Sequence, residues 1–224
     1  MLHRSLVRLL VSDTSTFKES SLIDQSGLRH LNSNGKTDEE DFLSNFIIDE
    51  YLALLQKASE ADGLQTKVLH WEQFERLSLS MLTQLLQKNG EVEEQDVILV
   101  PCSPIDSKHW SLLVVQPQKT LLAVLDSLPG DFVKPSTNAA INRMCNALQQ
   151  ADESSDKRHW KFYTNNHKDI PVQGNGYDCG VFVSLYARCL VSKGSMIKQF
   201  DIPDFRKSMI LELHEKKLNP IPAE

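Results

Sequence analysis

The sequence predicts an α+β fold, a central and mostly antiparallel sheet with helices around it. Apolar residues in the first third recur with helical spacing, whereas the middle third switches to short apolar runs bounded by proline and loop residues. The last third contains a glycine-containing loop that runs directly into an apolar helix. At 224 residues the length suits one large domain or a tight pair of lobes, ample for a full core.

Composition narrows the function classes. With 41% hydrophobic and 24% charged residues, the chain has the balance of a soluble globular protein. A net charge of −6 argues against nucleic acid or an anionic membrane surface as the main partner. No apolar run reaches the length of a membrane span, and Met1 to Val11 is too short and too charged for a secretion signal. The four cysteines, Cys102, Cys145, Cys179 and Cys189, show no C-x-x-C spacing. Their pattern speaks against a zinc site or a disulfide framework and fits a reducing compartment. No internal repeat or low-complexity segment is present.

Leu2–Val11 reads as a short amphipathic segment. Ser26–Asp41 is polar, with a turn at Asn32–Gly35 and the acidic run Asp38–Asp41. Those acids suit the solvated first turn of a helix from about Glu40 to Ser59. Its apolar face would carry Phe42, Leu43, Phe46, Ile47, Tyr51, Leu54 and Leu55. Lys67–Phe74 reads as extended, with His70 and Trp71 packing at a core or sheet edge. Leu77–Lys88 reads as a helix stopped by Asn89-Gly90.

Asp96–Val100 is an apolar run that Pro101 should end, as expected of a buried strand. His109–Val115 and Thr120–Asp126 flank Gln116–Lys119, which predicts an antiparallel hairpin. With that loop, His109 falls directly opposite Asp126. Facing residues have Cβ atoms about 4.5–5.5 Å apart on one face. The aspartate could then hold one ring nitrogen and leave the other to accept a proton from a thiol. A one-residue slip would place the two on opposite faces. Taken alone, without Cys179 and Gln173, such a pair is better read as an ordinary cross-strand ion pair at a sheet end.

Ser136–Gln150 reads as a surface helix with Ala140, Ile141, Met144, Cys145 and Leu148 inward. His159-Trp160 repeats the His-Trp pair ahead of the strand Lys161–Thr164, but no acid stands in a comparable position. His167 sits beside Lys168 and Asp169 as in a solvated turn, and His3, His30 and His214 have no evident partner. Ile202–Leu218 reads as an amphipathic helix with proline at its start and lysines in its last turn.

The loop Ile170–Gly180 leads into apolar residues recurring at Val181, Leu185 and Cys189, and at Phe182, Tyr186 and Leu190. Cys179 therefore stands where the loop becomes a buried helix. Unpaired N–H groups and the macrodipole there favour an anion such as a thiolate. A cysteine by itself is more commonly an inert core residue. Gln173 supplies a second signal, because Gly174 and Gly176 allow the loop to fold its amide back beside the sulfur. An amide so placed can donate to the oxyanion of a tetrahedral intermediate.

His109-Trp110-Ser111-Leu112, then Asp126-Ser127, then Pro171-x-Gln173-x-Asn175-x-x-Asp178-Cys179-Gly180 resembles the Ulp/SENP family of cysteine proteases. These enzymes process and remove SUMO and related ubiquitin-like modifiers. The resemblance runs from about Phe42 to Leu218 and includes the last-helix stretch Phe205-Arg206-Lys207-x-Met209. It implies a papain-like arrangement, with the histidine preceding the cysteine in chain order. It also implies Cys179 as nucleophile, His109 as general base, Asp126 as its orienting partner and Gln173 as oxyanion donor. Trp110 matches the tryptophan that closes over the modifier's Gly-Gly tail. The family opens its first helix with Trp-Leu-Asn-Asp, whereas this chain has Phe42-Leu43-Ser44-Asn45. Phe42 keeps an aromatic wall for the tail, and Asn45 stands where the family uses a carboxylate against a basic residue of the modifier.

The expected unit is a single catalytic domain over 1–224, with a core of about 40–218 and an N-terminal extension over 1–39. The family's long regulatory N-terminal region is not expected within these residues. The resemblance implies SUMO or a related modifier and its lysine-linked conjugates as partners, a nuclear or cytoplasmic location, a monomer, and no metal or organic cofactor. Deneddylation or deubiquitination by the same mechanism remains open. So do acetyl transfer from the same triad, which lacks an obvious basic cluster for acetyl-CoA, and a silent modifier-binding module.

Overall fold

The structure, a computed structural model, describes residues 42–88, 91–92, 95–103, 109–129, 135–152, 158–165, 170–192 and 202–219. The segments Leu2–Val11 and Ser26–Asp41, the Asn89-Gly90 turn, and His3, His30 and His167 lie outside these residues.

Its centre is a five-stranded mixed sheet. The strands are β1 (Thr66–Val68), β4 (Val97–Cys102), β5 (Ser111–Gln116), β6 (Leu121–Asp126) and β7 (Lys161–Thr164), in that spatial order. The three middle strands are antiparallel neighbours, and both edge strands pair in parallel. Every residue of β4 and β5 is buried, as expected of strands covered on both faces. A separate two-stranded ladder joins β2 (Gln87–Lys88) to β3 (Glu91–Val92).

Helix α1 spans Asn45–Ala61 and begins later than the apolar pattern suggested. The Ser44 hydroxyl accepts the Ile47 N–H at 3.4 Å and caps the helix, so its first turn carries no acid. The buried face is Ile47, Ile48, Tyr51, Leu52, Leu55 and Ala58, while Phe46 is 48% exposed and Leu54 lies at the margin. The extended reading of Lys67–Phe74 holds only to Val68. Trp71–Arg76 forms a short helix, α2, whose Trp71 and Phe74 rings stack in the core. Helix α3 (Leu79–Leu86) is capped by Ser78 and passes directly into β2, so it ends before Lys88.

Pro101 does not end β4; it pairs with Leu112 inside the strand. The pairing of β1 with β4 stops at Leu99, so the β1 side of the ladder is already open at that point. A residue lacking an N–H costs little there. Helix α4 (Pro135–Ala151) buries Ala140, Ile141, Met144, Ala147 and Leu148, with Cys145 half-buried. Helix α5 (Cys179–Val191) is buried along its whole length between α1 and the strands β5 and β6. Burying its Phe182, Val183 and Leu185 contributes roughly 1.5–3 kcal/mol per side chain. Helix α6 (Ile202–Glu215) lies across α1 and α5. It stops at Lys216, which takes a left-handed φ of 57°, so the two lysines lie just beyond the last turn, which carries His214.

Candidate active site

The hairpin holds the first half of the site. Its turn is the 3-10 segment Pro117–Lys119 followed by Thr120 in the left-handed region, and Gln116 pairs with Leu121. Asp126 consequently stands opposite Ser111, not His109. The shift from the expected register is two residues, which preserves the face. Asp126 becomes the diagonal neighbour of His109, within reach of a ring. The His109 Nε2 and Asp126 Oδ1 atoms are 2.6 Å apart, with both side chains largely buried.

Asp126 is held by its surroundings. The Asn165 amide, just past β7, accepts the Asp126 N–H at 2.7 Å and donates to the Asp126 carbonyl at 2.9 Å. The Leu128 N–H adds a 2.8 Å bond to the same carboxylate oxygen that faces His109. With Nε2 facing Asp126, Nδ1 is the ring nitrogen turned away from that carboxylate.

Ser127 ties this hairpin to the loop before α5. Its carbonyl accepts the Gln173 N–H at 2.9 Å, and its hydroxyl donates to Gln173 Oε1 at 2.5 Å. Those bonds orient the buried Gln173 amide, whose Nε2 donates to the Asn175 carbonyl at 2.6 Å. Since an amide nitrogen carries two hydrogens, one donor remains. The Asn175 side chain organises the next turn, accepting the N–H groups of Tyr177 and Asp178 and donating to Asp178 Oδ2 at 2.7 Å. Further back, the Tyr186 hydroxyl of α5 donates to the Pro171 carbonyl at 2.6 Å and pins the start of the loop.

Cys179, the first residue of α5, is fully buried. Gly180 beside it is required by packing: a Cβ there would lie 2.9 Å from Ile48 Cδ1 and 3.0 Å from Leu43 Cβ. The other thiols are poor nucleophiles, because burial pushes Cys102 and Cys189 up to about 12 and raises Cys145. All four cysteines are free. Among the described residues no group of three His, Cys, Asp or Glu side chains could hold a metal, and no helix is long and apolar enough to cross a membrane.

The residues assigned to substrate divide by position. Trp110 is 5% exposed and adjoins His109, and Phe42 is half-buried against the core. Asn45 is exposed at the start of α1. It lines an open groove of about 680 Å³ with Phe46, Asp49, His70, Arg76 and Met81. His70 is therefore an edge residue, with Nδ1 2.8 Å from Asp49 Oδ1, and that carboxylate raises its pKa. His159 and His214 are exposed and stand apart from the His109–Asp126 pair.

Asn165 was not among the residues expected at the site, nor was the contact of the Arg206 guanidinium on α6 with Asp178. Asn165 directly follows an expected strand, but only the parallel pairing of β7 with β6 brings it to Asp126.

The family described as Ulp1 protease family, C-terminal catalytic domain, matches residues 41–221. The chain belongs to the Ulp1 protease family. Among relatives of this family, Sentrin-specific protease 2 of Homo sapiens is 35% identical over 142 residues, covering 58% of this chain and 22% of that protein. Ubiquitin-like-specific protease 1 of Saccharomyces cerevisiae is 23% identical over 145 residues, covering 64% and 22%. The match thus spans about a fifth of the length of these curated relatives.

Two solved Ulp1 structures share the fold. The SUMO protease Ulp1 with its catalytic cysteine oxidised to a sulfonic acid has a TM-score of 0.66 at 18% identity, covering 95% of this chain and 94% of that one. The C-terminal Ulp1 protease domain in complex with Smt3, the yeast ortholog of SUMO, has a TM-score of 0.66 at 15% identity, covering 96% and 94%. The α+β fold of the Ulp type is the fold of this chain.

Proposed function

We propose that the chain is a cysteine protease and isopeptidase that cleaves after the C-terminal Gly-Gly of a ubiquitin-like modifier, SUMO in the first place. The observation that carries this reading is the 2.6 Å His109–Asp126 contact, joined through Ser127 and Gln173 to the loop that ends at Cys179. The family match and the Sentrin-specific relatives support the substrate class. We take residues 40–218 as one catalytic domain, acting as a monomer in a reducing nuclear or cytoplasmic compartment. Four free thiols are consistent with that location.

In this mechanism His109 Nδ1 takes the Cys179 proton, and the thiolate attacks the carbonyl carbon of the terminal glycine. Asp126 holds the ring and stabilises its charged form. The remaining Gln173 Nε2 hydrogen and the Cys179 backbone N–H stabilise the oxyanion, a donor being worth about a hundred- to a thousandfold in rate. Collapse expels the lysine ε-amine, which His109 protonates, and water then hydrolyses the thioester through the same base. Trp110 and Phe42 flank the tail, and glycine is selected because a side chain would clash between them. The reaction needs no metal or organic cofactor.

Probes made from SUMO, the neddylation modifier and ubiquitin, each with a reactive C-terminus, test the reading. SUMO should label the wild type at Cys179 and leave Cys179→Ser unlabelled. Labelling by another modifier alone would transfer the activity to that modifier. No labelling by any, with the modifier still bound, would make the domain a binding module.

A further inference from the structure

Asp178 immediately precedes the proposed nucleophile and is buried, with 7% of the residue exposed. A charge so far from water needs partners. Its Oδ1 receives two bonds from Arg206 of α6, at 2.8 Å from Nε and 2.5 Å from Nη2. Its Oδ2 receives the Asn175 amide at 2.7 Å. Arg206 is itself 5% exposed, far from the usual surface position of an arginine.

We propose that Arg206 is a positioning residue that, through Asp178 and Asn175, sets the place of Cys179 and of the Gln173 amide. The inference rests on the protease reading above. Each link is direct: Arg206 to Asp178, Asp178 to Asn175, the Asn175 carbonyl to Gln173 Nε2, and Gln173 Oε1 to the Ser127 hydroxyl beside Asp126. The chain of bonds thus begins on a helix remote in sequence and ends next to the residue that orients His109. Both bonds from Arg206 converge on Oδ1 while the Asn175 amide holds Oδ2, so the carboxylate is fixed at both oxygens, and the planar guanidinium brings two directed donors to the first of them. Its charge also neutralises Asp178, which otherwise would oppose negative charge developing on the adjacent sulfur.

A second buried pair gives an internal comparison. Arg188 of α5 meets Glu212 of α6 at 2.8 Å, and the Tyr51 hydroxyl donates to the same carboxylate at 2.7 Å. That cluster also docks α6, but it lies toward the far end of α5 from Cys179, and its hydrogen bonds run to Tyr51 and Asn219 instead of to the loop over 170–178. A generally loosened α6 would follow from disturbing either cluster, whereas displacement of the nucleophile follows only from the first.

The test measures kcat and KM on a SUMO C-terminal amide for wild type, Arg206→Gln, Arg206→Lys, Asn175→Ala and Tyr51→Phe. Tm and the folded fraction are measured for each. Arg206→Gln should lower kcat per folded molecule on the order of 100-fold, with KM within roughly twofold, because a displacement near 1 Å costs about that much. Arg206→Lys should recover part of the loss by restoring the charge. Asn175→Ala, which leaves α6 intact, should reproduce a loss of at least about tenfold. The double variant Arg206→Gln/Asn175→Ala should be no worse than the weaker single variant, as members of one network are non-additive. Tyr51→Phe should lower Tm while keeping kcat.

Loss of activity in proportion to unfolded protein, loss carried by KM, or equal falls in kcat for Arg206→Gln and Tyr51→Phe would each overturn the assignment. If the wild type turns over no modifier, the protease reading fails separately, and alkylation of Cys179 by iodoacetamide, followed by peptide mass, still decides the positioning role. A rate at least about fivefold lower in folded Arg206→Gln than in Tyr51→Phe supports it, since the bare carboxylate disfavours the thiolate. Equal rates overturn it.

Discussion

At the residue scale, the short His109–Asp126 contact depends on a carboxylate whose backbone is held by Asn165 from both directions. Asp126→Asn should cut kcat by about 10²–10⁴, the range expected when the acid that fixes a catalytic histidine's tautomer is lost. Thermal stability should change far less, because the amide can keep the Leu128 bond. Steady-state kinetics beside a melting curve would check both. His70 sets a different pH signature. Asp49 raises its folded pKa above the usual 6.5, so the pair's contribution is fully present below that value. It is lost as pH rises through the raised folded value. The Tm difference between wild type and His70→Gln should therefore shrink from pH 6 to pH 8. Because both side chains are partly exposed, the effect should stay under about 1 kcal/mol.

At the element scale, α5 and the β5–β6 hairpin have to meet at fixed depth. Gly180 permits the approach of α5 to α1, and Gly180→Ala should destabilise by about 1–3 kcal/mol through overpacking against Ile48 and Leu43. Urea unfolding should show a lower midpoint at unchanged m-value. In the hairpin, Thr120 occupies φ 46°, a costly place for a β-branched side chain. Thr120→Asn should stabilise by about 0.5–1 kcal/mol, since asparagine tolerates that region without the entropy of glycine. Activity should be retained, because the register of β5 and β6 is unchanged. Deleting one residue from Pro117–Lys119 should instead abolish activity, as His109 and Asp126 would then face opposite sides of the sheet.

At the scale of the whole molecule, α6 closes the structure through charges buried against α5 and α1. Glu212 accepts from Arg188, from Tyr51 and from the Asn219 N–H, and Arg188 also donates to the Asn219 carbonyl. Glu212→Gln leaves the Arg188 cation without its counter-charge and should cost about 3–5 kcal/mol, measured by chemical denaturation. Ending the chain at Glu215 removes the Asn219 bonds and should lower stability in the same direction. The sheet beneath is mixed because the expected antiparallel strands form only its middle. Both parallel edge pairings come from strands whose sequences carry no mark of direction.

Short-range chemistry was legible in the amino-acid order: the loop-to-helix junction at Cys179, the hairpin, the face shared by His109 and Asp126, and the course of α4, β7 and α6. These follow from periodicity, proline and glycine, which act within a few residues. The turn at Pro117–Thr120 was misplaced, yet the His109–Asp126 contact still forms because an error of two residues leaves a strand's face unchanged. What only the folded chain decided was long-range. Asn165 reaches Asp126 through a parallel edge strand, and Arg206 reaches Asp178 from the last helix. Such contacts leave no periodic trace, because the partners are chosen by how helices and strands pack and by the need of each buried charge for an opposite one.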